Sequence, residues 1–121
     1  RRCGWIDLVQ LRYSIMINGV DELIMTKIDV MNDFDEVKVC NEYIDGHGHA
    51  LNAIPFDLDQ ANISPVWTSY KGWNQDLSTA KSFDQLPSET KEYVNALEHK
   101  LGKQFSMISI GVGRDEVVEK R

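Results

Sequence analysis

Lys27 and Asp29 stand two residues apart at the exit of an apolar run, within Thr26-Lys27-Ile28-Asp29. In an extended chain, side chains two positions apart point to the same side. A carboxylate in that position can accept both the N1–H and the exocyclic N2–H of a guanine base. The alkyl stem of the lysine can lie flat on the ring, and Ile28 between them contributes backbone. Ligands of open α/β sheets collect at the carboxyl ends of strands, which is where this tetrapeptide falls.

The same chemistry underlies the N-K-x-D signature of GTP-binding proteins, from which T-K-I-D differs only at its first residue. Alone the tetrapeptide is a weak signal, since Lys-x-Asp also describes an ordinary solvated strand end. Two further clusters stand with it. Ser109-Ile110-Gly111 closes the last apolar segment. Its glycine would let the backbone approach a flat ligand, with adjacent amides free to bond a base oxygen. Taken singly, its plainer reading is an ordinary strand-to-turn glycine. Arg1-Arg2-Cys3-Gly4-Trp5 opens the chain with paired guanidinium groups suited to carboxylate or phosphate. Without further context it reads equally as a solvated basic terminus.

These clusters need elements to position them. Apolar residues at Ile6, Val9, Tyr13 and Met16, widened by Leu8, Leu11 and Ile15, predict a helix over residues 5–17, buried over much of its circumference. Asn18-Gly19 supplies a left-handed stop. Residues 22–28 read as an interior strand. Residues 36–44 alternate, and Asp45-Gly46-His47-Gly48 turns them into residues 50–54 as a β-hairpin. Residues 65–70 are extended, residues 74–85 are a looser polar stretch, and Ser88 caps a second helix that Gly102 ends. A strand over residues 104–110 completes the order. The class is α/β, read as part of a larger mixed sheet with flanking helices and a hairpin.

Composition narrows the function. The 121 residues are 42% apolar, enough for one globular domain with a real core. Thirteen Lys and Arg lie scattered among 19 acids, net charge −6, so a broad nucleic-acid-binding face is not expected. A single nucleotide needs only a few placed donors and stays possible. No apolar run reaches the roughly 18–20 residues of a membrane span. Cys3 and Cys40 lack metal-ligand spacing and read as reduced, packed thiols, so a cytoplasmic location is expected. His47-Gly48-His49 reads as a solvated hairpin loop rather than a metal site, because no further ligands cluster with it. The start at Arg1 rather than Met suggests a piece of a longer protein.

Arg1-Arg2-Cys3-Gly4-Trp5-x-Asp7 resembles the R-R-x-G-W-x-D segment of adenylosuccinate synthetases. Thr26-Lys27-Ile28-Asp29-Val30, Val37-Lys38-Val39-Cys40, Pro65-Val66, Gly72-Trp73, Leu86-Pro87, the helix from Tyr93 to Gly102, and Ser109-x-Gly111 with Arg114 follow in the family's order. No one motif decides the matter, but the ordered set is specific and covers nearly the whole chain.

The resemblance implies a P-loop NTPase-like fold and a ligase that joins IMP to L-aspartate with hydrolysis of GTP. It further implies a Mg2+ requirement and a homodimer. It places Lys27, Ile28, Asp29, Ser109, Ile110 and Gly111 at the guanine, and Arg1 at both the GTP ribose and the aspartate substrate. It makes the chain the C-terminal portion, with the phosphate loop, general base, acid histidine and metal ligands all outside it. No catalytic residue is therefore expected among these 121, and His47, His49 and His99 do not replace the missing acid. The alternative is a stand-alone guanine-nucleotide-binding module without ligase activity. One departure stands out. The family's S-T-G-P-D-R here reads Ser109-Ile110-Gly111-Val112-Gly113-Arg114, which removes a proline that stiffens the turn and an aspartate that could anchor Arg114.

Overall fold

The computed structural model describes residues 2–120, and in it the chain divides into two compact units. One comprises the described part of residues 1–20 together with Lys38–Ser69. The other comprises Asp21–Val37 and the described part of residues 70–121.

In the first unit, β1 (Ile6–Asp7) leads directly into α1 (Leu8–Asn18). The helix begins at Leu8 rather than at residue 5 because Asp7 caps it. One carboxylate oxygen of Asp7 accepts the Val9 and Gln10 amides at 2.9 and 3.2 Å. The other accepts the Tyr43 hydroxyl. Burial first, and then the Asp7 carboxylate, push the Tyr43 phenol up to about 12, so it remains a proton donor. Gly19 ends the helix at φ 59°, the expected left-handed stop, with its N–H on the Ile15 carbonyl. Leu8, Val9 and Ile15 are buried, whereas Tyr13, Met16 and Ile17 are exposed, so the buried face is narrower than the sequence suggested.

β3 (Glu36–Ile44) is the strand to which β1, β4 (Ala50–Leu51) and β5 (Ser64–Lys71) all pair. β1 runs parallel to it, Asp7 opposite Cys40, and β4 runs antiparallel, Tyr43 opposite Leu51. The hairpin is therefore present. Its turn is held by Asp45, whose carboxylate accepts the His47 and His49 amides at 2.8 and 2.9 Å. Val9, Cys40 and Tyr43 form the core here, with Leu51, Ile54 and Ile63 packed against them. A short α2 (Leu58–Ala61), capped by Asp57, precedes β5. Of the two thiols only Cys40 is buried. Cys3 is exposed, contrary to the packed pair expected, because the segment before α1 lies at the surface.

Replacing Asp7 by Ala removes the cap and strands the Tyr43 hydroxyl at once. The expected loss of stability is about 1–2 kcal/mol, the upper range for a lost N-cap. The urea midpoint of Asp7→Ala against wild type checks this.

The second unit holds a three-stranded sheet in the order β2 (Leu23–Met25), β6 (Phe105–Ser109), β7 (Val117–Glu119). β2 and β6 are parallel, and β6 and β7 antiparallel. The apolar run 22–28 thus yields only three strand residues, at an edge of the described sheet rather than its interior. Its Ile24 is 62% exposed. α3 (Ser88–Leu101) starts one residue earlier than expected, with Pro87 at the cap position and Ser88 donating its hydroxyl to Glu89. Thr90, Tyr93, Val94, Leu97 and Leu101 are its buried residues, and Gly102 ends it at φ 66°. The polar stretch 74–85 is not wholly solvated: Leu77 and Ala80 are buried.

Candidate functional site

Because β2 and β6 are parallel, their carboxyl ends lie at the same edge of the sheet, with Met25 opposite Ile108. The segment leaving β2 is Thr26 to Asp29, and the segment leaving β6 is Ile110 to Gly111. Strand register therefore delivers both sequence-predicted segments to one place.

Lys27 and Asp29 do not continue the strand, so the expectation of an extended Lys-x-Asp is corrected. Lys27 adopts φ 60°, ψ 28°, the left-handed region, and Ile28–Met31 follow as a 3-10 turn. A non-glycine residue there carries a cost and is uncommon outside Asn and Asp. The cause is local. The chain must reverse after Met25 to sink Ile28, which is 1% exposed, into the core. The turn packs on β6. The result still places Lys27 and Asp29 on either side of an inward-pointing Ile28, with Lys27 exposed and Asp29 half-buried. Among the described residues, neither the Lys27 ammonium nor the Asp29 carboxylate has a hydrogen-bond or ion-pair partner.

The turn is braced from below. Asn32 donates its amide to the Asp29 carbonyl at 3.1 Å, and its side-chain oxygen accepts the Trp73 indole N–H at 3.0 Å. The Asn32 carbonyl accepts from Gln75 at 3.0 Å. Trp73 packs at 5.9 Å from the Tyr93 ring, and burial pushes that phenol up to about 12. Gly72, just before, donates its N–H to the Asp35 carbonyl at 2.8 Å. A Cβ there would overlap the Phe34 carbonyl group.

On the facing segment, the Ser109 hydroxyl donates to the Gly111 carbonyl at 3.1 Å, and Ile110 is buried. Gly111 is not an open approach. A Cβ there would stand inside contact distance of the Glu116 carboxyl group, which fills that space from within the loop. Arg114 is exposed. Arg1, the remaining candidate, lies outside the described residues. Asn32, Trp73 and Glu116 escaped the sequence reading. Their roles depend on tertiary neighbours, though Gly72-Trp73 was itself a visible marker.

Among the described residues no group of three or more His, Cys, Asp or Glu could hold a metal ion. His47 and His49 lie in the hairpin turn, where the His49 imidazole faces Asp45 at 3.4 Å. A concavity of about 680 Å3 opens at the amino end of the same parallel strands, beside Asp21, Glu22, Glu98 and Gln104. It is open and polar, lined also by His99 and Lys103, and it is not where Lys27 and Asp29 lie. No helix of the described chain is long and apolar enough to cross a membrane.

The architecture defines a mixed α/β protein with a candidate site where two parallel strands end. A family model described as adenylosuccinate synthetase matches residues 1–118, so the chain belongs to the adenylosuccinate synthetase family. It is 45% identical over 120 residues to the adenylosuccinate synthetase of Cytophaga hutchinsonii, covering 99% of this chain and 28% of that protein. It is 44% identical over 119 residues to that of Chlorobium chlorochromatii, covering 98% and 27%. A solved structure of fully ligated adenylosuccinate synthetase from Plasmodium falciparum superposes with a TM-score of 0.94 at 32% identity. It matches 100% of this chain and 30% of that one. The chain thus spans about 28% of the length of the curated relatives it matches.

Proposed function

We propose that the chain supplies the guanine-recognition part of a ligase forming adenylosuccinate from IMP and L-aspartate with hydrolysis of GTP, a step of purine biosynthesis. The observation that carries this reading is the pair of loops at one sheet edge. One presents a half-buried carboxylate with no partner among the described residues, and the other presents a short turn whose Gly111 and Val112 amides have none among them either. Asp29 reads the N1–H and N2–H edge, Lys27 covers the ring with its stem, and Ser109 to Gly111 close over the base oxygen. The names of the relatives support the reaction, and the family resemblance supports the rest. In it Arg1 reaches both the GTP ribose and the aspartate carboxylates, where a guanidinium can bond bidentately. The chain is the C-terminal portion of a cytoplasmic homodimer, and the Mg2+ ligands belong to the remainder.

The experiment is an adenylosuccinate-forming assay with IMP, L-aspartate and Mg2+, using either GTP or ATP. The full-length protein is expected to turn over with GTP and not with ATP. The 121-residue chain alone is expected to form no adenylosuccinate, because phosphate cradling and proton transfer need groups it does not hold. Equal use of ATP would overturn base recognition. Turnover by the purified 121-residue chain would overturn the division of labour.

A further inference from the structure

We propose that Glu116 is a positioning residue for base recognition, holding Ile110 to Gly113 in the shape that closes over the guanine oxygen. The inference rests on the reading of Ser109 to Gly111 as the segment facing that oxygen. Val112 and Gly113 stand where the family pattern has proline and aspartate, so something else must fix this turn. Glu116 does so at four points. Its carboxylate accepts the Gly113 amide at 2.6 Å. Its own N–H donates to the Gly113 carbonyl at 3.2 Å, and its carbonyl accepts the Ile110 amide at 2.9 Å. Its carboxyl group occupies the space that a Cβ on Gly111 would need, and it would lie 3.0 Å from a Cβ on Gly113. Both glycines are thus explained by the carboxylate they surround. A charged acceptor makes the stronger kind of hydrogen bond to a backbone amide. The Gly111 and Val112 amides are left without partners among the described residues, so they remain free donors on a loop that cannot collapse onto itself.

The test uses the full-length enzyme with GTP and with 6-thio-GTP, which keeps the N1–H and N2–H donors and replaces only the base oxygen by a weaker acceptor. Glu116→Ala is expected to lower kcat/KM for GTP about tenfold, the worth of one mispositioned hydrogen bond, and to shrink the preference for GTP over 6-thio-GTP. Constants for IMP and aspartate should hold. Glu116→Gln keeps the size and one acceptor for the Gly113 amide and should restore most of the preference, which general loss of structure would not allow. An unchanged preference in Glu116→Ala overturns the proposal. Asp29→Asn run beside it separates the two ideas. If that variant alters base choice while Glu116→Ala does not, only the role of Glu116 falls. If neither variant alters it, the guanine site itself falls as well. Should Glu116→Ala not fold, Glu116→Asp takes its place: its shorter side chain draws the carboxylate away from the Gly113 amide, and an unchanged preference in that variant overturns the proposal.

Discussion

Asp29→Asn in the full-length enzyme is expected to weaken GTP by about 2–3 kcal/mol and to raise the use of XTP relative to GTP. Among the described residues the carboxylate of Asp29 has no partner, and it is half-buried, so a base bearing two donors can satisfy it. Adenine cannot: its N1 is an acceptor and its C2 carries only hydrogen. A buried charge left unpaired is costly, and a site built on such a charge rejects the wrong base more strongly than any loss of apolar contact could. The asparagine amide keeps the shape but turns one acceptor into a donor. That mismatches guanine and matches the C2 carbonyl of xanthine. IMP and aspartate constants should hardly move, because neither substrate touches this edge. The ratio of kcat/KM for GTP and XTP in wild type and variant decides it. An unchanged ratio would mean that Asp29 is a solvated turn residue.

The second large effect is expected on stability. Gly72→Ala should cost about 3 kcal/mol or more, at the upper end for inserting one methyl group into a packed site. The cause is not backbone strain, since Gly72 has no positive φ. It is contact: the new methyl would overlap the Phe34 carbonyl and crowd the Asp35 backbone, and a backbone cannot rotate away as a side-chain tip can. Moving it would break the bond from Gly72 N–H to Asp35 and disturb the adjacent Trp73, whose indole anchors Asn32 under the Asp29 turn. Denaturant unfolding of Gly72→Ala measures the loss. A shift below about 1 kcal/mol would show that the loop can absorb the methyl group.

Much of this fold was legible where the chain's own chemistry is local. Asn18-Gly19 and Gly102 stop their helices because only a left-handed residue closes the last turn, and that demand is written in one position. The hairpin was visible in alternation and in its Asp-Gly turn. What could not be read depended on partners far along the chain. β7 is three residues long and exists because it pairs with β6. The 3-10 turn at Ile28 stands where the apolar pattern predicted continued strand, and Ile28 is buried there against neighbours distant in sequence. Leu77 lies in a polar stretch, where no period marks a single buried side chain. At the site, residue types told which groups could meet a base. Parallel register told that they meet, and Glu116 emerged only from the shape of a loop whose departure from the family pattern had looked like a loss.

The interleaving of the two units sets an order for their completion. Each is built from two separated stretches of chain, with Lys38–Ser69 inserted between the halves of the second. During synthesis from the amino end, all of the first unit's residues exist once Ser69 has been added. β2 must wait for a partner strand from which it is 83 positions removed, as measured by the Ser106 hydroxyl reaching the Leu23 carbonyl. Closing so long a loop carries an entropic cost and slows the search for the pairing. Until β6 arrives, Ile24 and Met25 lack the strand they pair with among the described residues, and the turn at Lys27 lacks the β6 surface it packs on. The Asp29 carboxylate therefore gains its final setting only after β6 has been made.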